Sequence, residues 1–215
     1  MTGVYSATVR SPTGIAADPP LTSHGTRQAD QLARHLLTLD PPIETVYSSP
    51  YYRCLQTITP FVELSSEHDK ILPEKGIAEW FGSAPFDHPQ PAPAEVLKPM
   101  FPAYCVDYVS AQTPSIRGET LAQLYERLAT TVRSIVERCD AEGKRAIVLC
   151  THAAVVIALG RILTGNVPQD PEVDDFQAFT CGLSVYRRKG ASEGSDSAAT
   201  APGMDLLPTL PFVPD

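Results

Sequence analysis

At 215 residues the chain has room for one well-buried α/β domain with a tail, and not for two comfortable domains. A formal net charge of −8 argues against nucleic acid or an anionic membrane as the main partner, since both need clustered Lys and Arg. No apolar run approaches the ~20 residues needed to cross a bilayer, and no signal-peptide pattern opens the sequence, so a soluble nuclear or cytoplasmic protein is expected. Five scattered cysteines (Cys54, Cys105, Cys139, Cys150 and Cys181) form no C-x-x-C pair. They read as small apolar fillers in a reducing compartment, with no disulfide framework, metal or other cofactor expected.

Along the chain, Val4 to Val9 alternates weakly and could form a short strand before Pro12, Gly14, Pro19 and Pro20 impose a loop. Ala29, Leu32, Ala33, Leu36 and Leu37 stand at helical spacing, with Thr22 or Ser23 as the cap and Pro41-Pro42 as the stop. Ile43 to Tyr47 reads as a strand. Ser49 as N-cap with Pro50 at the first helical position then predicts a helix whose buried face is Leu55, Ile58, Phe61 and Val62, bent at Pro60. The proline-rich stretch 83–102 has no period and reads as a surface excursion or lid. Thr120 to Glu142 is the longest amphipathic helix. The apolar run Ala146 to Cys150 suits a parallel strand covered on both faces. Ala153 to Leu163 is a nearly all-apolar helix closed by Gly165, and Leu183 to Arg187 a last strand. Strands separated by helices predict an α/β fold: a mostly parallel sheet with helices on both faces. One domain is expected over 1–189, with a disordered tail over 190–215 rich in Ser, Ala, Gly and Pro.

Three segments follow strands, where open α/β sheets place their ligands: Ser48-Ser49-Pro50-Tyr51-Tyr52-Arg53 through Thr57, Gly76-Ile77-Ala78-Glu79-Trp80, and Cys150-Thr151-His152-Ala153-Ala154. Taken singly, an Arg in a first helical turn is usually solvated, a Glu before a Trp is usually at the surface, and a strand-end His usually caps or packs. Their order and company carry the signal.

Leu21-Thr22-Ser23-His24-Gly25-Thr26-Arg27-Gln28-Ala29, Ser48-Ser49-Pro50 with Arg53 and Gln56-Thr57, Gly118-Glu119-Thr120, and Thr151-His152 occur in the order of the motifs of the histidine phosphatase superfamily. The chain resembles its phosphoglycerate-mutase-like branch from about Thr13 to Arg187. Gly76 to Trp80 and Thr151 to Ala154 are most similar to a sub-branch, the phosphatase-like tau subunit of a fungal RNA polymerase III transcription factor and its stand-alone paralogues. The resemblance implies phosphoryl transfer to a histidine, with arginines and a second histidine on the equatorial oxygens and a carboxyl as general acid. Carried over, Arg53 is a phosphate-binding arginine, His152 the second histidine and Glu79 the proton donor. Their polar ends should surround a phosphate-sized space, with Arg53 and His152 within about 8 Å.

Two positions depart from the pattern. Ala153 replaces the usual glycine, and the strand ending in Arg-His-Gly, whose His is the nucleophile, is found nowhere in the chain. That strand is expected upstream of Met1, either cut off by a truncated gene model or lost in a degenerate pseudoenzyme. Because the strand is normally central, its slot should be filled by Val4 to Val9 or leave a marginal fold with open edges; the second is favoured, since Gly3, Ser6 and Thr8 make a poor central strand. His24 is expected to face solvent in the first turn of its helix. The resemblance leaves a phosphomonoesterase that is inactive as given, a protein-interaction subunit of a transcription complex, and, more weakly, a mutase. The partners implied are a phosphorylated small molecule or phosphate ion and, for the subunit reading, proteins of a transcription complex, with no direct nucleic acid and no membrane.

Overall fold

The computed structural model describes residues 5, 8–65, 68–168, 170, 173, 177–188 and 212–214. Helix α1 runs Ser23–Leu36, strand β1 Thr45–Ser48, helix α2 Tyr52–Leu64 and strand β2 Leu72–Pro73. A 3-10 turn, Lys75–Ile77, and helix α3, Ala94–Met100, precede the long helix α4, Leu121–Ala141. Strand β3, Ile147–Cys150, leads into helix α5, Ala153–Thr164, and strands β4, Tyr186–Arg188, and β5, Phe212–Pro214, complete the described elements.

The central sheet is parallel in the order β2-β1-β3, with Val46 opposite Val148 and Tyr47 opposite Leu149. Side chains alternate between its faces. Tyr47, Ile147 and Leu149 pack with α4 and α5 in one apolar cluster. Val46, Val148 and Cys150 pack with α1, α2 and α3 in a second. This two-faced sandwich is the expected α/β class.

The caps explain the helix starts. Thr22 accepts from the Gly25 N–H to open α1. Thr120 and Gln123 form a reciprocal capping box at α4. Gly165, at φ 74°, closes α5 in the left-handed conformation that favours glycine. The start of α2 differs from the Ser49/Pro50 expectation: its N-cap is Tyr51, whose side chain makes no capping bond. The carboxylate of Asp18, from a loop 34 residues earlier, takes the Tyr52 N–H at 2.6 Å and the Arg53 N–H at 3.3 Å instead. A cap supplied at that range is invisible to local sequence rules.

The proline-rich excursion also departs from its reading, for it contains α3, with Leu97 fully buried. His88 anchors it: its backbone N–H reaches the Ile116 carbonyl, one ring nitrogen lies 2.8 Å from the Gly82 carbonyl, and its ring stacks on Phe81. Val4, Ser6, Ala7 and most of 190–215 lie outside the described residues. Of the Val4–Val9 segment, Tyr5 is 38% and Val9 58% exposed, so neither is buried in a central strand. The tail reading is modified at one point: Phe212–Pro214 pairs antiparallel with β4. Strand β3 stands at the edge of the described sheet, and all four of its residues are only half-buried, whereas Val46, Tyr47 and Ser48 of β1 are buried.

Candidate functional site

Three strand ends deliver three charged side chains to one point. Arg53 lies in the first turn of α2, Glu79 follows the 3-10 turn after β2, and His152 caps α5 directly after β3. The Arg53 Nη2 donates to Glu79 Oε2 at 2.9 Å and lies 3.0 Å from His152 Nδ1, which is itself 3.2 Å from Glu79 Oε2. The expected convergence is therefore closer than drawn from sequence, because the polar ends meet directly where a phosphate-sized space was expected between them.

Other residues hold these groups in place. Arg53 Nη1 donates to Asp18 Oδ1 at 3.0 Å and to the Ala17 carbonyl at 3.3 Å, so the guanidinium is gripped between a wholly buried carboxylate and Glu79. The Ser49 hydroxyl lies 2.7 Å from His152 Nε2. Tyr51 sets its ring edge against the imidazole at a centroid distance of 5.4 Å, while the Arg53 guanidinium lies over the same ring. The Tyr51 hydroxyl donates to the Pro89 carbonyl, which pins the proline-rich excursion beside the site. The Cys54 sulfur stands 3.6 Å from His152 Nε2. Asp18, Ser49 and Tyr51 were not singled out as site residues. Asp18 sits in an aperiodic loop before Pro19-Pro20, and Ser49 reads locally as a helix cap.

The charges are mutually adjusted. Burial alone would lower the His152 pKa, but its contacts with the Cys54 sulfur and the Glu79 carboxylate push it upward. Burial alone would raise the Glu79 carboxyl, but the hydrogen bond and charge of His152, followed by the Arg53 guanidinium, hold it below its ordinary value. The imidazole has an oxygen beside each ring nitrogen, Glu79 Oε2 at 3.2 Å from Nδ1 and the Ser49 hydroxyl at 2.7 Å from Nε2, an arrangement that favours its cation, while Arg53 Nη2 crowds the same Nδ1 at 3.0 Å. The Cys54 thiol is pushed well up by its contact with Cys150 and by burial, and stays neutral. The cluster then holds two cations, Arg53 and His152, against two carboxylates, Asp18 and Glu79.

The remaining histidines stand apart from this cluster. His24 and His35 are exposed on α1, as expected for His24. His68 packs on Phe61, and His88 is bonded to Tyr5 and Gly82. Among the described residues, no group of three or more His, Cys, Asp or Glu is placed to hold a metal ion, and no helix is long and apolar enough to cross a membrane.

Behind Glu79, a buried ion pair braces the turn that carries it. Arg127 on α4 makes a fork-like contact with both Glu119 oxygens at 2.8–3.0 Å and donates from Nη1 to the carbonyls of Gly76 and Ala78. Gly76 is required there, because a β-carbon would collide with Thr131 of α4.

Comparison with known proteins matches residues 5–195 to the family model described as histidine phosphatase superfamily (branch 1). The chain is 36% identical over 183 residues to the transcription factor tau 55 kDa subunit of Saccharomyces cerevisiae, covering 81% of this chain and 41% of that protein. It is 32% identical over 165 residues to the ecdysteroid-phosphate phosphatase of Drosophila melanogaster, covering 74% of this chain and 21% of that protein. The chain thus spans less than half the length of either relative. A crystal structure of the ecdysone phosphate phosphatase of Bombyx mori in complex with tungstate superposes with a TM-score of 0.64 at 20% identity, covering 86% of this chain and 78% of that one, which establishes the shared fold.

Proposed function

Because the chain belongs to the histidine phosphatase superfamily, we propose that Arg53, His152 and Glu79 form the anion-binding and proton-transfer half of a phosphomonoesterase site. The observation that carries this reading is the meeting of the three groups, from three separate strand ends, within 3.2 Å of one another. The Arg53 fork and the His152 imidazolium would hold the equatorial oxygens of a phosphoryl group, where negative charge gathers during transfer. Glu79 would protonate the leaving oxygen.

The covalent step needs a second imidazole. Among the described residues no other histidine joins this cluster, and no Arg-His-Gly occurs in the chain. A parallel strand ending in that sequence beside β3 would supply the nucleophile, in keeping with β3's place at the edge of the described sheet. On its own, the chain binds a phosphorylated small molecule or phosphate ion without turning it over.

A second reading is favoured by the 36% identity to the tau 55 kDa subunit: a phosphatase-like module held in a nuclear transcription complex through protein contacts, its net charge of −8 suiting it to proteins over DNA. Steady-state assays with an aryl phosphate test whether the chain has a nucleophile of its own. The purified chain and its His152→Ala variant should be equally slow. Turnover by the unaltered chain that disappears in His152→Ala would overturn the proposal that these residues lack one.

A further inference from the structure

We propose that Glu79 acts as a built-in anion plug, which a phosphoryl group displaces and which takes up a proton as it leaves. The inference rests on the oxyanion-site reading above and deepens it by saying how the general acid acquires its proton.

A single oxygen, Glu79 Oε2, accepts from Arg53 Nη2 at 2.9 Å and faces His152 Nδ1 at 3.2 Å. An oxyanion at this point would be bound by the same two nitrogens, so the carboxylate stands where one phosphoryl oxygen would sit. Asp18 holds the other end of the guanidinium and caps α2, so Arg53 cannot retreat to offer a fresh face. Glu79 can move, because its own tether is one bond from the Trp80 N–H to Oε1 and its side chain is 24% exposed.

Charge balance selects the group that takes up the proton. With the plug in place, Arg53 and His152 are matched by Asp18 and Glu79. A bound dianion would leave the half-buried cluster two charges negative, and like charges at hydrogen-bonding distance do not both stay ionised. The titratable groups of the cluster are Arg53, His152 and Tyr51, which act on Glu79 directly, with Asp18 on the far end of the Arg53 guanidinium and Cys54 against the His152 ring. Of these, Arg53 is a cation, the Glu79 contact at 3.2 Å favours the cation of His152, and Cys54 and Tyr51 are pushed upward toward their neutral forms. Asp18 keeps the backbone N–H groups of Tyr52 and Arg53 and the Arg53 Nη1 whether or not the anion is bound. Glu79 is the group left to neutralise. Its carboxylate gains one solvent proton and becomes the carboxylic acid that a leaving oxygen requires.

The test is calorimetric binding of tungstate, dianionic at neutral pH, in buffers of different ionisation enthalpy and at several pH values from about 6 to 8. The unaltered chain should take up about one proton per tungstate and lose up to about tenfold in affinity per pH unit on the alkaline side. Glu79→Gln, which keeps the shape and the Trp80 contact, should take up none, show a flat profile and bind at least about tenfold more tightly at about pH 8. Glu79→Asp, which keeps the charge, should keep the pH slope, and far-UV circular dichroism checks that both variants fold. Equal affinity and equal pH dependence in the unaltered chain and Glu79→Gln would overturn the plug and leave the oxyanion site standing. Failure of every one of these proteins to bind tungstate would overturn both.

Discussion

Replacing Arg127 by methionine is expected to lower the unfolding free energy by about 3–5 kcal/mol, the cost of leaving one member of a buried ion pair without its partner. Both side chains are nearly wholly buried, at 4% and 8% exposure, so water cannot take over the bonds that Glu119 loses. The same substitution frees the carbonyls of Gly76 and Ala78, each of which accepts from Arg127 Nη1. Since Ala78 directly precedes Glu79, the loss should reach the site as well. Urea unfolding of the unaltered and Arg127→Met chains measures the effect as a shift in midpoint. A paired change, Arg127→Met with Glu119→Leu, should recover much of the loss, because an apolar pair of similar volume removes the stranded carboxylate. An unchanged midpoint in the single variant would mean that the Glu79 turn is not held by this ion pair.

Replacing Arg53 by methionine should weaken tungstate binding by at least about tenfold, since the charge-assisted hydrogen bond from Nη2, at about 1.5–3 kcal/mol, disappears with the guanidinium. Arg53→Lys should recover only part of this, because an ammonium restores the charge without the planar fork. The fold should survive both changes, at a lower urea midpoint in Arg53→Met because the wholly buried Asp18 carboxylate loses its ion pair, while its bonds from the backbone N–H groups of Tyr52 and Arg53 keep the α2 cap. Tungstate titration of the three proteins, with urea midpoints beside it, separates lost binding from lost structure. Affinity in Arg53→Met within a few-fold of the unaltered chain would remove Arg53 from the site.

What could be read from the sequence was what local rules control. The apolar spacing of α1 and α4, the Thr120 cap and Gly165 at the end of α5 are encoded within a turn or two of where they act. The run Ile147–Cys150 announced a parallel strand, though not that its residues would be only half-buried, because burial depends on the neighbour at its edge. Helix α3 escaped notice since Pro93 and Pro99 mask a seven-residue segment too short to show a period. The site divides in the same way. Arg53, Glu79 and His152 were legible through the order of their motifs, whereas Asp18 and Ser49 act on partners 35 and 103 residues away. The protonation states were hidden for the same reason. Glu79 is set by its neighbours below the ordinary carboxyl range, the reverse of what a resting general acid would need.

The anomalous signal of tungsten, in crystals of this chain grown with tungstate, tests the oxyanion site most directly. One tungsten is expected beside Arg53 and His152, its oxygens about 2.7–3.0 Å from the guanidinium and imidazole nitrogens, with the Glu79 carboxyl turned away from both. Tungsten found only elsewhere, such as the cleft lined by Gln112, Gln123 and Arg127, while Arg53, Glu79 and His152 keep their mutual contacts, would contradict the site.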